Sequence, residues 1–144
     1  MAENPNLLIT LLVACVPSVA TFCLLGQRQH IGERASELIA DIRLMSDKGI
    51  EYWELRVDDT ASARRLEIEL KGLSKRIWGH IEDLNSRWWG FHFRRNDLLK
   101  QFRQSILRSP FEQVDRVPDP KRYADIQSDA EELIQAIRKA RRFF

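Results

Sequence analysis

Apolar residues are arranged along this chain in two ways, as one unbroken run near the start and as regular stripes after it. The run covers residues 7–25 and contains no charged residue. Beyond it, apolar residues recur every three or four positions, which is the spacing of one face of an α-helix. No segment alternates apolar and polar residues as a half-buried strand does. The pattern predicts an all-α fold.

The two longest stripes predict two long helices. The first helix should cover residues 27–55, and the sequence leaves open whether it continues the apolar run. The second should cover residues 61–89, and the short turn between the two favours a long antiparallel hairpin. The stripe residues are Ile31, Ala35, Leu38, Ile42, Met45 and Gly49, then Leu66, Leu70, Leu73, Ile77, Ile81, Leu84 and Trp88. Their heptad-like spacing is also that of a coiled coil, so pairing within one chain and between chains both remain open.

Two shorter helices should complete a bundle of about four. Asn96 or Asp97 can cap the third helix, and the Ser109–Pro110 step should stop it, because a residue before proline disfavours helical geometry. Asp119 and Pro120 predict the start of the fourth, with an acidic N-cap and proline in the first helical position. The fourth helix should reach about Arg142.

The apolar run predicts a transmembrane anchor. As a helix it would be roughly 28 Å long, close to the thickness of the hydrocarbon core of a bilayer. Pro17 lies inside it, and transmembrane helices tolerate proline. The alternatives are a cleaved signal peptide, which would need a basic start that residues 1–6 lack, a lipoprotein signal and a buried core helix. Residues 12–15 (Leu-Val-Ala-Cys) suggest the lipoprotein signal, but the apolar run before Cys15 is short and continues for ten residues after it. We therefore expect an anchor in residues 1–26 and a helical-bundle domain in residues 27–144.

Flanking charge predicts the orientation of the anchor. Residues 1–26 contain no Lys or Arg and one acid, Glu3, whereas Arg28, His30 and Arg34 follow the run. The positive-inside rule predicts an N-terminus outside and a cytoplasmic C-terminal domain. Small or weakly polar residues at spacings of four, four and three would allow two such anchors to approach closely. We call Thr10, Ala14, Ser18 and Thr21 the small-residue face, and it predicts a homo-oligomer unless the spacing is chance.

Composition and motifs give little support to catalysis. The net charge is +2, too small for a typical nucleic-acid-binding domain, so no nucleic acid is expected. Both cysteines, Cys15 and Cys23, lie in the apolar run. No phosphate-binding glycine loop, nucleophile elbow or metal-ligand spacing is present, and no glutamate lies three positions before any of the three histidines. The sequence predicts a non-enzymatic protein without cofactor or metal.

One segment combines aromatic and basic residues. It contains Arg87, Trp88, Trp89, Phe91, Phe93, Arg94 and Arg95, and further bases, among them Arg138, Arg141 and Arg142, end the chain. Such residues can lie at a membrane interface, contact a protein partner or stack on nucleobases. Alternatively, the aromatic rings could fill the end of the bundle core. We expect membrane-surface or partner contact.

These features predict a function in outline. One anchor with a small helical domain is an organisation found in bacterial membrane effectors and accessory subunits, although architecture alone says little of function. We expect a protein that acts at the membrane by self-assembly or by contact with a cytoplasmic protein. A lipid-surface module that docks through the basic-aromatic segment is the first alternative, and an unrecognised enzyme is the second.

Overall fold

The computed structural model describes the backbone of residues 5–55, 59–87, 91–113 and 118–141. Side chains are described in the same ranges except at residues 5–20, 23, 24 and 87. These parts of the chain form four helices and no strand, which confirms the all-α prediction. The helices are α1 (Pro5–Glu54), α2 (Thr60–Arg87), α3 (Asn96–Leu107) and α4 (Pro120–Ala140).

Helix α1 joins two segments whose continuity the sequence left open. The apolar run and the first predicted bundle helix form one helix of 50 residues, and the boundary predicted at residues 26 and 27 lies inside it. In the part of the chain with described side chains, no helix offers a segment long and apolar enough to cross a membrane. Of the predicted span, only Thr21, Phe22 and Leu25 have described side chains, and all three are exposed.

Helices α1 and α2 form the expected antiparallel hairpin. The Arg76 guanidinium donates to the Asp41 carboxylate, with Nε 2.8 Å from Oδ2. Further from the apolar run, Lys48 Nζ lies 3.0 Å from Glu69 Oε2. In the second pair the α1 residue lies seven positions later than in the first, and the α2 residue lies seven positions earlier. The two helices therefore run in opposite directions with one constant register.

Helix α4 lies on another side of α1 and is also antiparallel to it. Near its start, the Tyr123 hydroxyl donates to the Trp53 carbonyl over 3.1 Å. At its end, the Arg141 guanidinium lies beside Gly32. Helix α1 thus packs between α2 and α4, while α3 packs mainly on α4. The C-terminal ends of α2 and α4 therefore return to the same part of α1, a few residues beyond the apolar run.

The predicted stripes form the core. Every stripe residue of α1 and α2 with a described side chain is buried, as are Ile126, Leu133 and Ile137 of α4. Trp88, the last residue of the α2 stripe, lies outside the described residues. Each helix buries one apolar face against its neighbours, and this burial is the main stabilising contribution in a bundle of this size.

The predicted start of α4 is confirmed, and the predicted cap of α3 is corrected. Asp119 caps α4, because its carboxylate accepts from the backbone N–H of Lys121 over 3.1 Å, and Pro120 follows as the first helical residue. At α3, neither Asn96 nor Asp97 is the cap. Arg95 occupies that position without a side-chain cap, since the Asp97 carboxylate is instead bound by the Arg95 guanidinium.

Candidate functional site

The surface nearest the apolar run is where those predicted contact residues that the structure describes come together. We call it the proximal end and define it as residues 28–32 of α1, the C-terminal turns of α2 and α4, and residues 91–95. The constant register of the two antiparallel pairs brings these segments together, because Asp41 opposes Arg76 and Gly32 opposes Arg141. Parts of α1, α2 and α4 and residues 91–95 thus share one end of the bundle.

Residues 91–95 are fixed by the Asn85 side chain. The backbone N–H of Phe93 donates to Asn85 Oδ1 over 3.0 Å, and Asn85 Nδ2 donates to the Phe93 carbonyl over 3.1 Å. Phe91 and Phe93 are 0% and 3% exposed and belong to the core. These two rings therefore fill the end of the bundle, as in the core-packing alternative, and are not part of an exposed surface.

Basic side chains cover the outside of the proximal end. Arg28, Arg94, Arg138, Lys139 and Arg141 are all exposed. Arg95 is also exposed, but its guanidinium binds the Asp97 carboxylate, with Nη2 3.0 Å from Oδ2. This hydrogen-bonded pair lowers the pKa of Asp97 and raises that of Arg95. The surface is thus cationic, with one of its bases already neutralised by a neighbouring acid.

Gly32 leaves room for the Arg141 guanidinium beside α1. A Cβ atom at this position would lie 3.1 Å from Nη2 of Arg141, tighter than ordinary van der Waals contact. The last turn of α4 also satisfies its own backbone, since the Arg141 N–H donates to the Ile137 carbonyl over 3.2 Å. Gly32 was not among the sequence-predicted site residues, and only the register of α1 and α4 reveals its role.

Several predicted contact residues lie outside the described part of the chain. For the basic-aromatic segment these are Trp88, Trp89 and the side chain of Arg87, and at the C-terminus Arg142. For the small-residue face they are the side chains of Thr10, Ala14 and Ser18, while Thr21 is described and exposed. The predicted contact residues that the structure describes on this surface are Arg94, Arg95, Arg138 and Arg141.

The opposite end of the bundle contains the richest polar network, which we call the distal cluster (Tyr52, Trp53, Glu67, Ile106, Glu112, Arg122 and Tyr123). Trp53 Nε1 donates to the Ile106 carbonyl over 3.0 Å. The Tyr52 hydroxyl donates to Glu67 and accepts from the Glu112 N–H, each over 3.0 Å. The Arg122 guanidinium lies 4.0 Å from the centre of the Trp53 ring. These contacts join all four helices.

The distal cluster has the features of a network that holds the helices in position. The hydroxyl of Tyr123 and the ring nitrogen of Trp53 both end on backbone carbonyls rather than pointing into a cavity. Burial is the main cause that raises the pKa of Tyr123, and the charges of Glu54 and Asp119 add to it. A tyrosine held in its neutral form and already hydrogen-bonded suits positioning of α4 against α1.

The histidines do not meet in space. His80 is half-buried, and its Nδ1 lies 3.7 Å from the Asp41 carboxylate without a hydrogen bond. His30 lies beside Glu33 on α1, and His92 is exposed at the proximal end. Among the described residues, no three His, Cys, Asp or Glu side chains are grouped so that they could hold a metal ion.

No family model, curated protein or solved structure matches this chain. The proximal end offers exposed bases just beyond the end of the apolar run, and the opposite end offers a network that holds the helices together.

Proposed function

We propose that this chain is a non-enzymatic, single-pass membrane protein whose helical bundle acts at the cytoplasmic face. It would act by contact with a protein partner or with further copies of itself. The first part of α1 is the anchor, with its N-terminus outside. One observation carries the proposal: α1 is unbroken from the uncharged run into the core of the bundle.

The position of the proximal end supports this arrangement. Gly32 and the Arg141 guanidinium beside it lie about seven residues beyond Leu25, or roughly 10 Å along α1. The polar headgroup layer on each side of a bilayer is about 5–8 Å thick. If residues 7–25 span the hydrocarbon, the exposed bases of the proximal end stand at the outer edge of the headgroups of one leaflet. That is the distribution expected at a cytoplasmic surface.

The test of the anchor places two charges in the apolar run of the full-length chain. The parent protein should remain in the membrane pellet after an alkaline wash, whereas Leu12→Arg/Val16→Arg should be extracted. Each arginine at the centre of a span costs about 2.5–3.5 kcal/mol on insertion scales. Leu12→Val/Val16→Leu is the matched control and should stay in the pellet. Extraction of the parent protein would refute the anchor.

The orientation needs its own measurement. Ser128 is exposed on α4, so Ser128→Cys adds a reactive thiol to the bundle, away from the native Cys15 and Cys23. A membrane-impermeant maleimide should label this thiol only after the cells are opened. Labelling in intact cells would mean that the bundle faces outward.

A second candidate function is docking of the proximal end on anionic lipid. The observation that favours it is the set of exposed bases Arg94, Arg138, Lys139 and Arg141, which lie within about one Debye length of the predicted membrane surface. Each base near an anionic leaflet contributes about 1 kcal/mol. Clustering of several such bases at one end of the bundle would bias the domain towards the membrane.

Hydrogen exchange of the full-length protein in lipid nanodiscs distinguishes this candidate from simple anchoring. Anionic lipid should slow exchange in residues 91–95 and 136–141 relative to neutral lipid. Arg138→Glu/Arg141→Glu should remove the difference, while Arg43→Glu, an exposed charge change on α1 outside the proximal end, should not. Equal exchange in both lipids would exclude lipid docking.

A further inference from the structure

One edge of the bundle is open. Helix α2 packs on α1 and α3 packs on α4, but α2 and α3 make few contacts with each other. A groove remains between them, which we call the α2–α3 groove. It is lined on α2 by Lys71, Ser74, Lys75 and Trp78, and on α3 by Arg103 and Leu107. In a closed four-helix bundle this edge would be filled by apolar contact between the two helices.

The floor of the groove is apolar. Trp78 is 48% exposed, and the partly buried Leu107 lines the groove with it. Ile68, which is 68% exposed, lies ten residues before Trp78 on α2. The spacing from Ile68 through Lys71 and Lys75 to Trp78 is three, four and three, so these residues share one face of the helix. Tryptophan is the residue most enriched at sites that dominate binding energy.

The walls of the groove are basic. All ionisable residues in its lining are cationic, and Lys100 and Arg108 continue the basic wall along α3. Lys71 is bound to Glu112. In the described parts of the chain, Lys75, Lys100 and Arg103 have no acidic partner within ion-pair distance. The groove thus combines an apolar floor with three cations that have no acidic partner among the described residues.

The size of this surface fits a helix. From Ile68 to Trp78 the face is about 15 Å long, or roughly three helical turns. An amphipathic helix in such a groove buries its apolar face and presents its flanks to the walls. Acidic flanks would complement Lys75 and Arg103. The net charge of +2 is too small for a typical domain that binds a polyanion such as nucleic acid.

The position of the groove argues against lipid as its occupant. The pairs Asp41–Arg76 and Lys48–Glu69 fix the register, so Lys71 to Trp78 lie beside residues 39–46 of α1. That is roughly 20–30 Å along α1 from Leu25. Headgroup charge is screened over about 8–10 Å at physiological ionic strength. A soluble protein segment can reach this level, whereas the membrane surface cannot.

We propose that the α2–α3 groove binds an acidic amphipathic helix of a partner protein, with Trp78 as the apolar contact and Lys75 and Arg103 as the charged ones. The proposal rests on the bundle being an interaction domain, and the exclusion of lipid as the occupant also rests on the proposed anchor. Extraction tests report on the anchor and binding tests report on the groove, so failure of one is distinguishable from failure of the other.

The experiment uses the full-length protein in neutral-lipid nanodiscs. The probe is a displayed library of helices of about 18 residues with a fixed leucine stripe and randomised flanks, long enough for roughly five turns. Empty nanodiscs remove helices that bind lipid. Helices retained by the protein should be enriched in Asp and Glu at the flanking positions. A library that yields no binder, or binders without acidic enrichment, would overturn the proposal.

Charge reversal then identifies the groove. Lys75→Glu/Arg103→Glu should weaken the selected acidic peptide by about tenfold or more, and the same peptide with Lys in place of Glu should regain affinity for this variant. Arg43→Glu/Lys121→Glu, which changes two exposed cations elsewhere, is the matched control. Unchanged affinity in the groove variant overturns the proposal. So does a fall in the oligomer mass of Trp78→Asp by light scattering, because a second copy would then occupy the groove.

Discussion

Two glycines in the long helices have opposite surroundings. A Cβ atom at Gly72 of α2 would meet nothing within 4 Å. A Cβ atom at Gly49 of α1 would lie 3.1 Å from Cγ1 of Ile106, with two more atoms of that side chain at 3.2 Å. Ile106 is fully buried and β-branched, so its side chain has little freedom to move away. Alanine at Gly72 therefore changes helix propensity alone, whereas alanine at Gly49 also changes the packing of the core.

We predict opposite effects of alanine at these positions. Gly72→Ala should raise the free energy of unfolding by about 0.5–1 kcal/mol, because glycine loses more backbone entropy on folding than alanine does. Gly49→Ala should lower it, since overpacking a core costs about 1–3 kcal/mol and exceeds that gain. Urea unfolding of the full-length protein in mild detergent, followed by circular dichroism, measures both. A Gly49→Ala variant as stable as Gly72→Ala would contradict this account.

At the same scale, sequence periodicity found most of the core but stopped one turn early. Tyr52 and Trp53 follow Gly49 by three and four residues, so the same spacing continued once more would have included them. Their polar partners could not have been predicted. Trp53 bonds to the Ile106 carbonyl, and Tyr52 bonds to the Glu112 N–H. Those contacts depend on how residues 106–112 fold back, which no local pattern encodes.

At the scale of the helices, Glu69 is one of the acids that join α2 to α1. Glu69 bonds to Lys48 of α1 and to Arg65 one turn earlier on α2, each over 3.0 Å. These hydrogen bonds, that of Lys48 first, lower the pKa of Glu69, and the bond to Glu69 raises the pKa of Lys48. Because the pKa of Glu69 in the folded protein is below the ordinary glutamate value of 4.5, the pair stabilises the fold above that pH. Its contribution is lost as the pH falls through the folded pKa.

The hairpin should therefore weaken in acid, in part through Glu69. Between about pH 7 and pH 3, the parent protein should lose more thermal stability than Glu69→Gln, whose neutral side chain does not titrate. Glu82→Gln is the control, because Glu82 is exposed on α2 and forms no ion pair with a described residue. Melting temperatures of the three proteins across this range measure the effect. Parallel curves for the parent protein and Glu69→Gln would show that the pair contributes nothing.

The arrangement of the helices was only partly accessible from sequence. Asp119 and Pro120 predicted the start of α4, because a cap is a local feature. The stripes also predicted which face each helix buries. They could not predict which helices become neighbours, so the open edge between α2 and α3 and the exposed Trp78 were missed. An unpaired basic face looks like an ordinary solvated face until the opposite wall of the groove is known.

For the whole molecule, self-assembly through the small-residue face is the next prediction. Ala14→Leu/Ser18→Leu should convert a defined oligomer in mild detergent to monomers, because larger side chains prevent close approach of two spanning helices. Light scattering gives the mass. Val16→Leu, on the opposite side of the same helix, is the control and should leave the mass unchanged.

Retention of both variants in the membrane pellet would show that insertion is intact. A monomeric parent protein would remove the basis for self-assembly and leave partner binding as the role of the bundle. An oligomer that survives Ala14→Leu/Ser18→Leu would mean that another surface, such as the heptad-like stripes, drives association.

The continuity of α1 has a mechanical consequence. A helix without a break fixes the rotational phase between its two ends, at about 100° per residue. The direction in which the α2–α3 groove opens, seen along α1, is therefore fixed relative to residues 10–21 of the same helix. One residue inserted near Gly26 would turn the groove by about 100°, whereas seven would restore its direction to within about 20°. The same coupling would carry any rotation of the N-terminal segment directly into the orientation of the bundle.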